Sequence, residues 1–319
     1  MSSLRGKKVL ITGSTGFIGA NLMRKAIRAG ADVSILTRKS SDVWRIQDKL
    51  GDVSQYQLDL SDYECLESVI LKIGPEIIYH IAAYGGNLAQ KDFRKIIESN
   101  YIGTANLVNA CKKVDFELFV NTGSSSEYGI KTSPMREEDI LEPVNDYGVS
   151  KSAATLYCQS VARNEKIPIV TLRLFSPYGC YEGHKRLIPS VILDCLRGEN
   201  PKIISFEFVR DFIFIEDVVD AYLKVLCPKE IGGEIINIGS GKQHSVGEIV
   251  DTIIELTGEE LAPETCGTPR WPNEPEKWEA DITKAKKLLN WEPKYDLIRG
   301  LDTTIKWFKE NINMYNIMV

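Results

Sequence analysis

The chain of 319 residues lacks the features that assign a protein to membranes or to nucleic acid. No apolar run reaches the roughly 18 residues that a membrane-spanning helix needs. Lys7 and Lys8 lead straight into the first apolar segment, without the pattern of a signal peptide. Basic residues number 39 against 44 acidic ones, for a net charge of −5, so no basic footprint for nucleic acid exists. We therefore expect neither a membrane nor a nucleic-acid partner.

Histidine and paired cysteine are also scarce. The three histidines form no HxH or HExxH pattern, and the seven cysteines are scattered without a CxxC pair. Metal sites usually show such spacings, so we expect no metal. Unpaired cysteines are typical of reduced thiols, which predicts a cytoplasmic protein.

What the chain does have is an alternation of apolar, strand-like runs with amphipathic segments. This alternation predicts βαβ units and an α/β fold, a Rossmann-like doubly wound parallel sheet with a smaller carboxyl-terminal substrate-binding domain. We predict a cofactor domain over 1–175 with a return segment near 211–240, and a cap domain formed by 176–210 and 241–319. The predicted strands are 7–12, 32–37, 53–58, 77–81, 117–121, 168–174 and 234–238, and the first helices are 17–29, 62–72, 92–113 and 147–165.

A glycine-rich turn follows the first predicted strand. Gly13, Gly16 and Gly19 recur at three-residue spacing and lead into a helical pattern. Such glycines permit a tight turn and close approach of the backbone to a pyrophosphate, while the helix N-terminus offers free N–H groups. The turn therefore predicts a dinucleotide site, although the spacing is GxxGxxG rather than GxGxxG.

The tip of the second predicted strand indicates which dinucleotide binds. An NAD site usually places an acid there to accept from the ribose 2′-hydroxyl, whereas this chain has Thr37-Arg38-Lys39. Arg38 suits a 2′-phosphate, which favours NADP(H), with NAD possible; the alternative is a solvated basic loop. Asp59 lies where it would meet the adenine amino group, or else is a turn residue.

Tyr147 and Lys151 are spaced four apart, so on a helix they share one face. A lysine cation beside a tyrosine favours the phenolate and lowers the pKa of the phenol toward the range useful in acid–base catalysis. Ser124 precedes them after an apolar strand, at the sheet edge where ligands bind in such folds. We predict a catalytic set of Ser124, Tyr147 and Lys151.

In these motifs the chain resembles the extended short-chain dehydrogenase/reductases, specifically the nucleotide-sugar epimerases, dehydratases and reductases. The resemblance also rests on the segments His80–Ala83, Arg173–Gly179, Arg210–Asp217 and Asn237–Gly239. It implies a nucleotide-diphosphate sugar as substrate and a homodimer. The cofactor contacts it implies are Gly13, Thr15, Gly16, Phe17, Ile18, Gly19, Arg38, Asp59, Leu60, Ala82, Ala83, Tyr84, Asn100, Tyr147, Lys151 and Phe175; the substrate contacts are Ser124, Ser125, Tyr147, Ser176, Leu187, Arg210, Arg270 and Glu274.

The reaction is narrowed by two departures from the family patterns. Family 4,6-dehydratases carry an Asp-Glu pair where this chain has Ser125 and Ser126, and strand alternation would turn Glu127 away from the site. Ser176 replaces a family asparagine that contacts the diphosphate. Dehydration is disfavoured, and the Thr37-Arg38 tip favours an NADPH-dependent 4-ketoreductase of a 4-keto-6-deoxy sugar nucleotide, similar to CDP-abequose and CDP-paratose synthases. An NAD-dependent 4-epimerase is the alternative, and a non-catalytic NADP-binding regulator a third hypothesis.

Overall fold

The computed structural model describes residues 4–86, 90–228, 230–267 and 275–316. Seven strands form one parallel sheet, in the order β11-β6-β5-β4-β1-β2-β3 along it. The Rossmann-like fold predicted from the alternation is confirmed. The strands of this sheet are β1 (Lys8–Thr12), β2 (Asp32–Thr37), β3 (Ser54–Gln57), β4 (Ile77–His80), β5 (Leu118–Ser124), β6 (Ile169–Leu174) and β11 (Ile235–Ile238); the short strands between and after them are β7 (Ser176–Tyr178), β8 (Lys202–Ile203), β9 (Val209–Arg210), β10 (Phe212–Phe214), β12 (His244–Ser245) and β13 (Glu264–Thr265).

The helices cover both faces of the sheet, as a parallel sheet with buried strands requires. Helices α1 and α7 pack together, while α2, α4 and α5 pack on one another in a second group. The α-helices are α1 (Phe17–Arg28), α2 (Tyr63–Ile73), α3 (Phe93–Ile97), α4 (Gly103–Cys111), α5 (Asp146–Glu165), α6 (Leu187–Arg197), α7 (Ile215–Lys224), α8 (Val246–Thr257), α9 (Thr283–Leu289), α10 (Leu297–Glu310) and α11 (Asn313–Asn316).

One predicted helix is divided in the structure. The segment 92–113 forms α3 and α4 with a π-helical turn, Glu98–Ile102, between them. A π turn adds a residue to the helical repeat and often occurs at functional sites. Amphipathic periodicity alone therefore gave the correct extent of this segment but missed the change in its helical pitch.

The carboxyl-terminal part returns to the sheet once, through β11, which pairs with β6 in the register Ile236↔Leu172. Beyond it α6, α8 and α10 contact one another. The main apolar core runs from Val9 in β1 to Phe308 in α10, so the two predicted domains share it; their boundaries remain a prediction.

The order of the strands places the site. β1 is followed in the chain by β2 on one side, while β4 lies on its other side, and such a switch in direction leaves a crevice at the carboxyl ends of the strands. Thr12, His80, Ser124 and Leu174 end β1, β4, β5 and β6 at this one edge. The loops that follow these four residues therefore meet there.

Candidate active site

The glycine turn after β1 is built by close backbone packing. Gly13 has φ +72°, and a Cβ there would lie 2.6 Å from the backbone nitrogen of Ala82. A Cβ on Gly19 would lie 2.2 Å from the carbonyl oxygen of Gly13. Gly16 is the residue before α1, in extended conformation and without a side-chain cap, so the first N–H groups of α1 are open to an anion. The turn fits a dinucleotide pyrophosphate.

A cleft of about 280 Å³ lies along this turn and between the ends of β1, β2 and β4. The structure brings together eleven of the residues predicted for the cofactor. They are Gly13, Thr15, Gly16, Phe17, Ile18, Gly19, Arg38, Asp59, Leu60, Ala82 and Ala83. Other residues of the wall were not predicted, among them Ser41 and Ser99. Ser41 could have been found from its position in the same loop as Arg38.

The end of this cleft near β2 carries the predicted ribose contacts. Arg38 is exposed, and its backbone N–H donates to the hydroxyl of Ser41 at 2.9 Å. Thr37 is buried and accepts from the side chain of Gln55 at 2.9 Å. Asp59 is the acid among the described cleft residues, and its carboxylate accepts from the N–H and hydroxyl of Ser61. Among the described residues of the cleft, the cation Arg38 therefore follows β2, and the acid Asp59 follows the neighbouring strand β3.

Asn100 and Tyr84 lie beside the cleft rather than in its wall. The Asn100 amide donates to the carbonyl of Tyr84 at 2.7 Å and to the hydroxyl of Ser150 at 2.9 Å, and its oxygen accepts from the N–H of Tyr84 at 2.8 Å. Asn100 belongs to the π turn and is fully buried. It fixes the loop after β4 through Tyr84, and direct contact with a cofactor remains a prediction for both.

The predicted catalytic residues meet at the edge of the sheet. Asn145 caps α5 by accepting from the N–H of Gly148, which places Tyr147 and Lys151 on the first two turns. Ser124 ends β5, and the three side chains line one cavity. Burial raises the pKa of Tyr147, and a hydrogen bond with Ser124 opposes that rise. Burial lowers the pKa of Lys151.

The direction of the Tyr147 shift differs from the expectation drawn from the sequence. We expected the lysine to lower the pKa of the phenol, whereas burial dominates and raises it. The reason is that a phenolate loses hydration in the protein interior. The positive charge of an oxidised nicotinamide would act in the opposite direction when the cofactor is bound.

The cavity of about 680 Å³ extends from these three residues to the carboxyl-terminal half of the chain. Of the predicted substrate residues, Ser124, Ser125, Tyr147, Ser176 and Arg210 line it, and so does Phe175 from the cofactor set. Leu187 begins α6 and packs against the main core instead. Arg270 and Glu274 lie outside the described residues.

The structure adds polar residues to this cavity that the sequence did not single out, and four of them form the contacts described next. They are Arg45, Glu182, Arg186 and Trp278. The indole N–H of Trp278 donates to the hydroxyl of Ser125 at 3.2 Å, and the Arg210 guanidinium lies 5.0 Å from its ring. No local sequence motif identifies these four residues. Arg45 and Arg186 could have been proposed only because they are basic residues in loops that follow strands.

Arg45 and Glu182 anchor the loop between β7 and α6. Arg45 donates to the carbonyl of Tyr181 at 2.7 Å and to that of Thr15 at 3.3 Å, so it joins this loop to the glycine turn. Glu182 is buried, one of its carboxylate oxygens has no hydrogen-bond partner among the described residues, and burial raises its pKa to about 7. Its other oxygen lies 3.6 Å from Arg186.

Glu127 is directed away from the cavity, but for a different reason from the one expected. Residues Ser125–Glu127 form a 3₁₀ turn rather than a continuing strand, so strand alternation does not apply to them. The Glu127 carboxylate instead pairs with Arg173 at 2.7 Å beneath the site. Ser125 and Ser126 occupy the cavity wall, and the carboxyl pair typical of dehydratases is absent from the described wall at these positions.

A parallel sheet with a glycine-lined cleft and a Ser–Tyr–Lys cavity at one edge defines the class of dinucleotide-binding α/β proteins. Comparison with known proteins makes the assignment more specific. A family model described as "NAD dependent epimerase/dehydratase family" matches residues 9–239. The chain belongs to this family, which confirms the resemblance to the extended short-chain dehydrogenase/reductases that act on nucleotide sugars.

Relatives of this family match nearly the whole length of the chain. The UDP-glucuronate 4-epimerase of Thermodesulfobacterium geofontis is 29% identical over 96% of this chain and 97% of its own. The solved structure of an epimerase from Methanothermobacter thermautotrophicus has a TM-score of 0.90 and 29% identity, over 99% of this chain and 96% of that one. The UDP-glucuronic acid 4-epimerase of Bacillus cereus, solved with UDP-glucuronic acid and NAD, has a TM-score of 0.85 and 27% identity, over 95% and 99%. In the part of the chain that the structure describes, no helix is long and apolar enough to span a membrane.

Proposed function

We propose that the protein is a nucleotide-diphosphate sugar 4-epimerase. The observation that carries this proposal is the placement of Ser124, Tyr147 and Lys151 on one wall of a wide cavity that adjoins the dinucleotide cleft. Inversion at carbon 4 needs one acid–base group that serves the same oxygen in both directions, together with room for either face of the sugar. The 4-epimerases among its relatives support the same reading.

In this proposal each side chain has a defined task. Tyr147 takes the proton of the 4-hydroxyl group and later returns it, while Ser124 holds the same oxygen by a hydrogen bond. The Lys151 ammonium stabilises the phenolate form of Tyr147. A bound nicotinamide cofactor supplies what these side chains lack, the reversible removal of hydrogen with its electron pair from carbon 4.

The substrate's diphosphate is assigned to the basic residues on the other side of the cavity. Arg210 and Arg186 both line it, and a guanidinium recognises phosphate by paired, charge-assisted hydrogen bonds. Both arginines come from the part of the chain predicted to form the cap domain. We therefore assign the sugar to the space between Tyr147 and these two arginines.

A labelled substrate tests the proposal. The protein is incubated with UDP-glucose or UDP-glucuronic acid deuterated at carbon 4, and the products are analysed by NMR. We expect the 4-epimer with the deuterium retained and no net change in cofactor absorbance. Loss of the label to solvent would contradict the proposal, because it would indicate direct proton abstraction from carbon instead.

A second function, NADPH-dependent 4-ketoreduction, is favoured by Arg38 at the tip of β2. Among the described residues the cleft has no acid at this tip, which suits NADP(H), although NAD remains possible. Incubation with NADPH and a panel of 4-keto-6-deoxy sugar nucleotides distinguishes the two functions, since a reductase consumes NADPH in proportion to product. Absence of turnover with every sugar nucleotide would instead support a binding protein with a regulatory role.

We also propose a homodimer formed through α4 and α5. Val149 and Leu156 lie seven residues apart on α5, so they share a face, and their side chains are exposed. Ile102, just before α4, is exposed as well. Sedimentation of the wild type should give a dimer, and Leu156→Glu should give a monomer; a monomeric wild type would contradict this assignment.

A further inference from the structure

The carboxylate of Glu127 is buried directly behind the catalytic residues. One of its oxygens accepts from the backbone N–H of Ser124 at 2.8 Å and from the hydroxyl of Thr155 at 3.0 Å. The other accepts from Arg173 Nε at 2.7 Å. Glu127 has no exposed surface, and a buried carboxylate is retained only when it is paired and hydrogen-bonded. Every contact of this carboxylate is thus with the framework of the site rather than with the cavity.

These contacts connect the two elements that carry the catalytic side chains. Tyr147, Lys151 and Thr155 are spaced four residues apart on α5, so they lie along one face of the helix. The Glu127 carboxylate binds the hydroxyl of Thr155, the third residue of this row, and the backbone N–H of Ser124 at the end of β5. A shift of α5 against β5 would therefore break a hydrogen bond to a buried carboxylate.

The charge of Glu127 also acts on the same row. It raises the pKa of Lys151, opposing the effect of burial, and it raises the pKa of Tyr147. The groups that face Glu127 are Arg173 from β6 and Lys151, Tyr147 and Cys158 from α5. Burial raises the pKa of Glu127 itself, but the permanently charged guanidinium of Arg173 favours the carboxylate form. On the other side, Arg173 lies 4.7 Å from the ring of Tyr128.

We infer that Glu127 is a positioning residue for the proton transfer. It fixes Ser124 against the Tyr147–Lys151 face of α5, and its negative charge stabilises the Lys151 ammonium, whose side chain is almost fully buried. This inference rests on the proposed function, in that Tyr147 and Lys151 handle the proton. Glu127, a residue outside the cavity, would then help to determine the pH range in which Tyr147 and Lys151 transfer the proton.

Glu127→Gln separates charge from shape. The amide oxygen still accepts from Ser124 and Thr155, but the negative charge is lost. Removing a negative charge lowers the pKa of both Tyr147 and Lys151, so both limbs of the kcat–pH profile should move to lower pH. KM should change little, because Glu127 does not touch the cavity.

The single variant leaves Arg173 buried without its counter-ion, which endangers folding. The double variant Glu127→Gln/Arg173→Gln removes both charges. We expect it to keep the shifted limbs, because the charge that acts on Lys151 is that of Glu127. Glu137→Gln is the control, since this half-buried carboxylate accepts from the N–H of Asn237 at 2.8 Å and is not among the charges that act on Tyr147 or Lys151.

A titration without substrate makes the test independent of the proposed reaction. The absorbance of phenolate is followed against pH, and the curve of the matching variant with Tyr147→Phe is subtracted. We expect the Tyr147 phenol to titrate at lower pH in the double variant than in the wild type, whatever reaction the protein catalyses. Unchanged titration of the phenol, or a rate reduced equally at every pH with both limbs in place, would overturn the inference and leave Glu127 a structural residue.

Discussion

The dinucleotide cleft and the substrate cavity lie at the same edge of one sheet, yet they are built from different parts of the chain. The cleft is lined by residues at or directly after the ends of β1, β2, β3 and β4, and the tightly packed backbone of the glycine turn forms one side of it. The cavity is formed by polar side chains that come from segments as distant as Arg45, Ser124, Arg210 and Trp278. A site made by backbone is therefore recognisable from a short stretch of sequence, whereas a site made by side chains depends on how distant segments are packed.

The largest effect is expected in the substrate cavity, where the loss of one side chain should reduce turnover. Tyr147→Phe should lower turnover about 10²–10⁴-fold, the usual contribution of a positioned acid–base group, while cofactor affinity stays nearly unchanged. Steady-state kinetics and calorimetric titration of the cofactor measure the two quantities. Tyr157→Phe on the same helix is the matched control, and wild-type rates in Tyr147→Phe would remove this phenol from the mechanism.

In the cleft, the preference for NADPH over NADH is predicted to depend on the charged side chain of Arg38. Arg38→Ala should weaken NADPH binding by about 1.5–3 kcal/mol, the scale of a hydrogen bond to a charged group, and leave NADH nearly unaffected. The exposed neighbour provides the control, since Lys39→Ala should alter neither affinity. Equal calorimetric affinities for NADPH and NADH in the wild type would refute the preference.

Gly19→Ala tests whether close backbone packing defines the cleft. The added methyl group would lie 2.2 Å from the carbonyl oxygen of Gly13, so the turn or α1 must shift. We expect a loss of about 1–3 kcal/mol in the free energy of unfolding, as for other overpacked sites, measured by urea denaturation. Gly51 has no atom within 4 Å of its added Cβ, and Gly51→Ala should be nearly neutral; equal effects of both changes would argue against a packing origin.

The smallest effect concerns Glu182, whose carboxyl group is buried at the edge of the cavity. Burial raises its pKa from 4.5 to about 7, so between these pH values the folded state binds more protons than the unfolded state. Stability contributed by this group therefore falls as the pH rises toward 7. Glu182→Gln should be more stable than the wild type by about 1–2 kcal/mol at pH 8, because the neutral amide avoids part of the cost of burying an ionised carboxylate.

The same comparison at pH 4 should remove this advantage, because both states of the wild type then carry the proton. Thermal unfolding at the two pH values measures it. The exposed residue Glu199 supplies the control, and Glu199→Gln should show no such pH dependence. A Glu182→Gln variant that gains equally at both pH values would exclude ionisation as the cause.

The two regions also differ in how many of their residues could be predicted from the sequence. The glycine turn, the strand ends that follow it and the family resemblance together predicted eleven cofactor residues that the structure brings into one cleft. For the cavity, Ser124, Tyr147 and Arg210 were found through motifs, whereas Trp278 and Glu182 were missed. A tryptophan that reaches Ser125 across 153 positions of sequence carries no local signal.

Local patterns also misjudged geometry where tertiary contacts set it. The periodicity of 92–113 did not reveal the π turn that directs Asn100 inward. Strand alternation was applied to Glu127, although the chain leaves the strand at Ser124. In both places a buried hydrogen bond, to Tyr84 or to Arg173, stabilises a backbone path that residue type alone does not specify.

The Rossmann-like sheet, the glycine turn and the Tyr147–Lys151 face of α5 could be predicted from the sequence, because they depend on short-range periodicity and on backbone freedom. The side chains that enclose the substrate cavity, and the carboxylate buried behind it, became apparent in the folded chain. Burial and pairing of polar groups are properties of the packed chain. The pKa values of Tyr147 and Lys151 depend on the loss of hydration and on the charge of Glu127, and both effects arise only when β5, β6 and α5 come together.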